Sequence, residues 1–188
     1  MAKTRRLRDE NPGWLALPAS RGVDRAPVRT KLQVLPFEEL DWENFERLCY
    51  RLSQSDGDIE GWAALYGKRG QKQDGIDVYV RQSRTGKYSC WQSKRKKLTA
   101  AGLRSAVSEF LKGEWAAKSS QFCVCTSSSI QDTTLQREIE AQRSRLEGRG
   151  IVLLVIGQIE LSAQLKQKSP LVRDFFGRSW VNDFCMDD

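Results

Sequence analysis

The sequence predicts an α/β protein whose mixed central sheet is flanked by helices. Strand-like alternation and helical periodicity follow one another along the chain in the order α-β-β-β-α-β-α-β-α-α. The first three strands are joined by short links, as antiparallel neighbours are. The later strands are separated by helices, as parallel crossovers require. With 188 residues, 39% hydrophobic and 29% charged, the chain can build the core of one domain.

Residues 1–35 carry Arg5, Arg6, Arg8, Arg21, Arg25 and Arg29 among Pro12, Pro18 and Pro27, without periodicity. They are expected to form a basic, partly irregular arm ahead of a domain spanning 36–188, with Trp14 and Leu15 as its docking candidates. Asp41 is placed to cap a helix running to about Gln54, with Trp42, Phe45, Leu48, Cys49 and Leu52 as its buried stripe. Residues 61–67 suit a first strand, and a Gly- and Lys-rich loop leads to a second over 76–82. There Ile76, Val78 and Val80 should share one face, and Asp77 and Tyr79 the other. A polar turn at Ser83-Arg84-Thr85-Gly86 returns the chain to a third strand over 87–94.

A helix is expected over 99–117, with Leu103, Val107, Phe110, Leu111 and Trp115 inward, then a strand over 121–127. Asp132 opens a helix that turns Leu135, Ile139 and Leu146 inward and stops at Gly148 or Gly150. A fifth strand over 151–156 precedes closing helices over 158–167 and 171–183, separated by Pro170.

The absence of histidine excludes Ser-His and Cys-His catalysis and histidine-ligated metal nucleases. Hydrolytic chemistry would have to run on carboxylates, lysine and a metal. The five cysteines (Cys49, Cys90, Cys123, Cys125 and Cys185) are odd in number and form no C-x-x-C pair, which suits structural thiols rather than zinc ligands or disulfides. No apolar run approaches the roughly 18 residues of a membrane span. No apolar stretch follows the N-terminal basic residues, so a cytoplasmic protein without a membrane partner is expected.

The net charge of +7 suits a polyanion. Its clustering strengthens that reading. Lys68, Arg69 and Lys72 precede Gln73 and Asp74, and Arg95, Lys96 and Lys97 follow Lys94; the plainer reading is a solvated basic loop. Between these clusters lie Asp77 on one strand and the pair Gln92 and Lys94 on the next, two apart and so on one face. A carboxylate, an amide oxygen and an ammonium meeting at a sheet edge suit a hard divalent cation and a water that it activates. Glu46, at the flank of the first helix's apolar stripe, has two readings: a carboxylate that reaches the same edge, or a solvated helix glutamate.

The helix, the three strands with the acidic residue on the second and x-Gln-x-Lys on the third, and the helix and strand that follow resemble the PD-(D/E)xK nuclease superfamily. The stretch from Gly67 to Asp77, with Trp91-Gln92-Ser93-Lys94, is similar to Mrr-like restriction endonuclease domains. The resemblance covers roughly residues 40–157 and implies a restriction-endonuclease-like αβββαβ core. It assigns Asp77 as metal ligand, Gln92 as the residue that is Glu or Asp in most of the superfamily, and Lys94 as the lysine that orients or activates the attacking water. Ser93 would offer its backbone carbonyl to the metal, and Glu46 matches the helix glutamate that some members add. Gln73 and Asp74 would have supporting roles.

The activity so implied is Mg²⁺-dependent endonucleolytic cleavage of double-stranded DNA, with Mn²⁺ as a substitute, in antiviral defence. The implied assembly is a homo-oligomer, fused to or activated by an NTPase or nucleotide-sensing domain. Gln92 brings no charge, and a unit charge pair at about 4 Å and an effective dielectric near 20 is worth roughly 4 kcal/mol. Two other readings stand beside the nuclease. One is a nuclease-like nucleic-acid-binding module without activity. The other is an ordinary α/β core in which Asp77 and Lys94 form a structural ion pair.

Overall fold

A five-stranded sheet is built from Ala64–Leu65 (β1), Val78–Arg81 (β2), Tyr88–Lys94 (β3), Ser119–Thr126 (β4) and Val152–Ile156 (β5), which lie side by side in chain order. The computed structural model describes residues 34–55, 59–67 and 73–185. The basic arm through residue 33, including Trp14 and Leu15, and the cations Lys68, Arg69 and Lys72 lie outside the described residues. β1, β2 and β3 pair antiparallel, whereas β3, β4 and β5 pair parallel. The sheet is therefore mixed in the expected order, with β3 as the strand shared by its two halves.

The helices are Trp42–Ser53 (α1), Ala100–Lys112 (α2), Thr133–Glu147 (α3), Gln158–Leu165 (α4), Ser169–Phe176 (α5) and Arg178–Phe184 (α6). Phe45, Leu48 and Leu52 of α1 pack with Leu161, Val172 and Phe184 of the closing helices, over Val78, Val80, Trp91, Cys123 and Cys125. On the other face Leu103, Val107 and Phe110 of α2 join Ile139 and Leu146 of α3 over Cys90, Phe122 and Val124. The Phe110 and Phe122 rings stack 4.1 Å apart and fasten α2 to β4. Each such fully buried side chain contributes roughly 1.5–3 kcal/mol. Adjacent residues of β3 thus serve opposite cores, as strand alternation demands.

Asp41 and Asp132 cap their helices as the sequence places them, and Thr99, expected inside its helix, is its cap. Asp41, Thr99 and Asp132 accept hydrogen bonds from the main-chain N–H of Asn44, Gly102 and Leu135 and open α1, α2 and α3.

Several boundaries differ from expectation, each for a local reason. Leu35, assigned to the arm, is fully buried, and its N–H donates to Ser162 Oγ at 3.0 Å. Only Ala64–Leu65 of the expected first strand pairs, between Gly61 and Gly67 at φ 79° and 85°. Trp42, expected in the buried stripe of α1, is 45% exposed. α2 stops at Gly113, so Trp115 lies past its end and stacks on Tyr79, with centroids 4.3 Å apart. The expected last helix breaks at Gly177, whose φ of 93° no helix accommodates, into α5 and α6. Ile76 does not share a face with Val78 and Val80: it packs against α2, whereas they pack toward α1. Regular strand begins only at Val78, after a turn with Asp74 at φ 46° and Gly75 at φ 77°.

That turn is pressed onto the C-terminal end of α2. A Cβ on Gly75 would lie 2.8 Å from the Phe110 backbone nitrogen, and one on Gly113 would lie 2.7 Å from Asp74 Cβ. Gly75→Ala should therefore cost about 2 kcal/mol or more in urea denaturation, through left-handed strain plus the clash. Gly150, at φ 70° with nothing within 4 Å of its Cβ position, supplies the control. Gly150→Ala should cost only about 1 kcal/mol, and equal losses would contradict this account of the turn.

Candidate functional site

The turn delivers Asp77 to the sheet edge, one residue before β2 begins. Its main chain is held on both sides: its N–H donates to Trp91 O at 2.8 Å, and its carbonyl accepts from Tyr66 N–H at 2.8 Å. The half-buried carboxylate is fixed as well. Oδ2 accepts from the Ser93 N–H at 2.7 Å and from Ser93 Oγ at 2.8 Å. Charge-assisted bonds of this length are strong and directional. Oδ1 receives no hydrogen bond among the described residues, so one oxygen anchors the group and the other stays available.

Gln92 stands on β3 with its side chain buried, at 6% exposure. Its Oε1 has no hydrogen-bond partner among the described residues. A buried carbonyl oxygen without a partner costs roughly 1–3 kcal/mol, which a ligand at that oxygen would relieve. Gln92 and Asp77 line the same cavity of about 360 Å³, together with Gln73, Asp74, Glu109 and Lys112. The sequence-predicted carboxylate and amide therefore do converge, and Gln73 and Asp74 border them. The Asp74 carboxylate accepts a long bond, 3.4 Å, from the Tyr66 hydroxyl.

Lys94, two residues past Gln92 on β3, lines an adjacent cavity of about 530 Å³ with Ser93, Arg95, Lys96, Lys97 and Trp42. It is half-buried and makes no salt bridge among the described residues. Asp77 is engaged by Ser93, which removes support from the reading of Asp77 and Lys94 as a structural ion pair. Arg95 is used differently from its basic neighbours. Its guanidinium donates to Leu40 O at 2.7 Å and Glu38 O at 3.3 Å, tying β3 to the start of α1. Lys96 and Lys97 are exposed.

Glu46, half-buried on α1, lies close enough to Asp77 for their charges to interact. Burial, then Asp77 and then Glu43, raise its carboxyl above the usual glutamate range. It does not line the Asp77–Gln92 cavity. All five cysteines are buried and none is in a disulfide, as expected of core thiols. Burial pushes Cys90 up to about 11, so it is inert at neutral pH.

Among the described residues no group of three or more His, Cys, Asp or Glu could hold a metal ion. The oxygen donors at the Asp77 edge are instead a carboxylate and an amide, whose chemistry fits a hard cation rather than a soft one. Three lining residues escaped sequence reasoning. Glu109 and Lys112 lie on the polar side of α2, where nothing in the pattern separates them from solvated charges, and Trp42 sat at a stripe position. No protein-family model matches the chain, and no curated protein matches it significantly. Among the described residues no helix is long and apolar enough to cross a membrane.

The Glu46 environment gives a pH test. With its folded carboxyl raised, protonation is favoured in the fold. The cost of ionisation is full above the folded value and absent below the unfolded one. Glu46→Gln should stabilise the metal-free protein at pH 7.5, by about 0.5 kcal/mol at most after solvent screening. The gain should vanish below the normal glutamate range, near pH 4 or lower. Urea denaturation in EDTA at both ends reads this, and a gain that persists in acid would contradict it.

Proposed function

We propose that the chain is a metal-dependent endodeoxyribonuclease domain of the PD-(D/E)xK type. Its substrate is double-stranded DNA, cut with little sequence preference. The observation that carries this reading is the buried, unpartnered oxygen of Gln92, a residue that lines the same cavity as the clamped Asp77, with Lys94 in the cavity beside it. Asp77, Gln92 Oε1 and the main-chain carbonyl of Ser93 would hold Mg²⁺ or Mn²⁺. When bound, such an ion supplies Lewis-acid polarisation of the phosphodiester and a lower pKa for a coordinated water.

The chain's own groups do the rest. Ser93 keeps the Asp77 carboxylate in one orientation, so the anion needs no reorganisation when substrate arrives. Lys94, without a salt bridge among the described residues, offers its ammonium to the scissile phosphate and to the attacking water. Lys96 and Lys97 add sequence-independent phosphate contacts. Arg95 holds β3 to α1 through carbonyl contacts and is the least suited of the cluster to follow a DNA backbone. A homo-oligomer, an activating NTPase or nucleotide-sensing partner, a cytoplasmic location and a role in antiviral defence rest on the family resemblance. The second reading, a binding module without activity, draws on the neutral Gln92 and the absence of an acidic trio among the described residues.

Cleavage of supercoiled and linear DNA with Mg²⁺, Mn²⁺ or EDTA separates the two. The nuclease predicts metal-dependent nicking that falls about 100-fold or more in Asp77→Ala and in Lys94→Ala, while gel-shift binding in EDTA persists. A folded wild type that binds DNA and cuts with neither metal would favour the binding module.

A further inference from the structure

We infer that Glu109 of α2 is the second carboxylate of the cation site and supplies the negative charge that Gln92 lacks. This rests on the cation site of the proposed function and adds to it a residue from a different element. Glu109 lines both cavities: the one shared by Asp77 and Gln92, and the one that holds Lys94. It therefore stands between the metal-ligand candidates and the lysine.

The buried Gln92 oxygen, without a partner among the described residues, is the independent sign that a ligand belongs in this cavity. Strand alternation puts Gln92, like Cys90, on the α2 side of the sheet. A cation reached by Gln92 thus lies toward Glu109. Glu46 belongs to α1 and does not border the cavity.

Two close approaches fix the distance between Glu109 and the Asp77 turn. A Cβ on Gly75 would stand 3.1 Å from Glu109 Cβ, and Gly113, one turn further along, abuts Asp74. The Glu109 carboxylate is also available. It is exposed, and it accepts a neutral hydrogen bond from Ser105 Oγ at 3.1 Å. Among the described residues it makes no ion pair, even with Lys112 one turn on. Two carboxylates and one amide oxygen, completed by water, suit Mg²⁺ or Mn²⁺ better than a single carboxylate does. Lys112, on the same wall, would face the phosphate rather than the ion.

Mn²⁺ binding without DNA, followed by the EPR signal of free Mn²⁺, tests the inference directly. Wild type should show one saturable site and Asp77→Asn should lose it, with circular dichroism confirming the fold of each variant. Glu109→Gln should weaken the site about tenfold or more, Glu109→Asp should recover part of the loss, and Glu46→Gln should weaken it less than Glu109→Gln. Wild-type affinity in Glu109→Gln, with binding still lost in Asp77→Asn, would overturn the role of Glu109 and keep the site. Absence of saturable binding, or binding indifferent to Asp77→Asn, would overturn the site and Glu109 together.

Discussion

Gln92, Ser93 and Lys94 of the candidate site are placed by the alternation of β3. Among the described strands it alone is hydrogen-bonded to an antiparallel neighbour on one side and a parallel neighbour on the other. It is covered by helices on both faces, so its register is not free to slip: a shift of one residue would put Gln92 and Lys94 where Trp91 now packs against α1. The strand's last residues escape full cover, and there its side chains border cavities. Trp91 belongs to a core, Gln92 to a cavity, Ser93 to Asp77 and Lys94 to the next cavity.

The second constraint is the turn before β2. Left-handed backbone at Asp74 and Gly75 lets the chain lie directly on α2 and then bend, so that Ile76 goes into the α2 core while Asp77 stays at the edge. Without the bend Asp77 would be one more alternating strand residue. With it, the carboxylate reaches across to the Ser93 N–H and hydroxyl. The site is thus a contrast between a group fully engaged through one oxygen and a buried amide oxygen that nothing described engages. A bound cation, as proposed, would resolve that contrast in a single step, because it would accept electron pairs from both.

Much of this was legible in the sequence, because the signals are local. Asp41 and Asp132 read as caps, and α1, α3 and the five strands follow from periodicity. Asp77, Gln92 and Lys94 follow from their places on adjacent strands. What was not legible depends on contacts between distant segments. The end of α2 is set by Gly113 meeting Asp74, and the split between α5 and α6 by the conformation of one glycine. Arg95 looked like its basic neighbours, yet it is spent on carbonyls more than 50 residues away in sequence. Glu109 looked like any helix-surface glutamate until the turn at Gly75 was seen against it. Trp42 satisfied the helical stripe but falls at the first turn of α1, beyond the cover of the sheet.

The central claim is that the cavity between the Asp77 turn, β3 and α2 takes a divalent cation. Anomalous diffraction from crystals soaked in Mn²⁺ locates such an ion without relying on activity. The account predicts a peak within coordination distance of Asp77 and Gln92 Oε1. A peak elsewhere, or an undisturbed Gln92 side chain beside an empty cavity at saturating Mn²⁺, would contradict it.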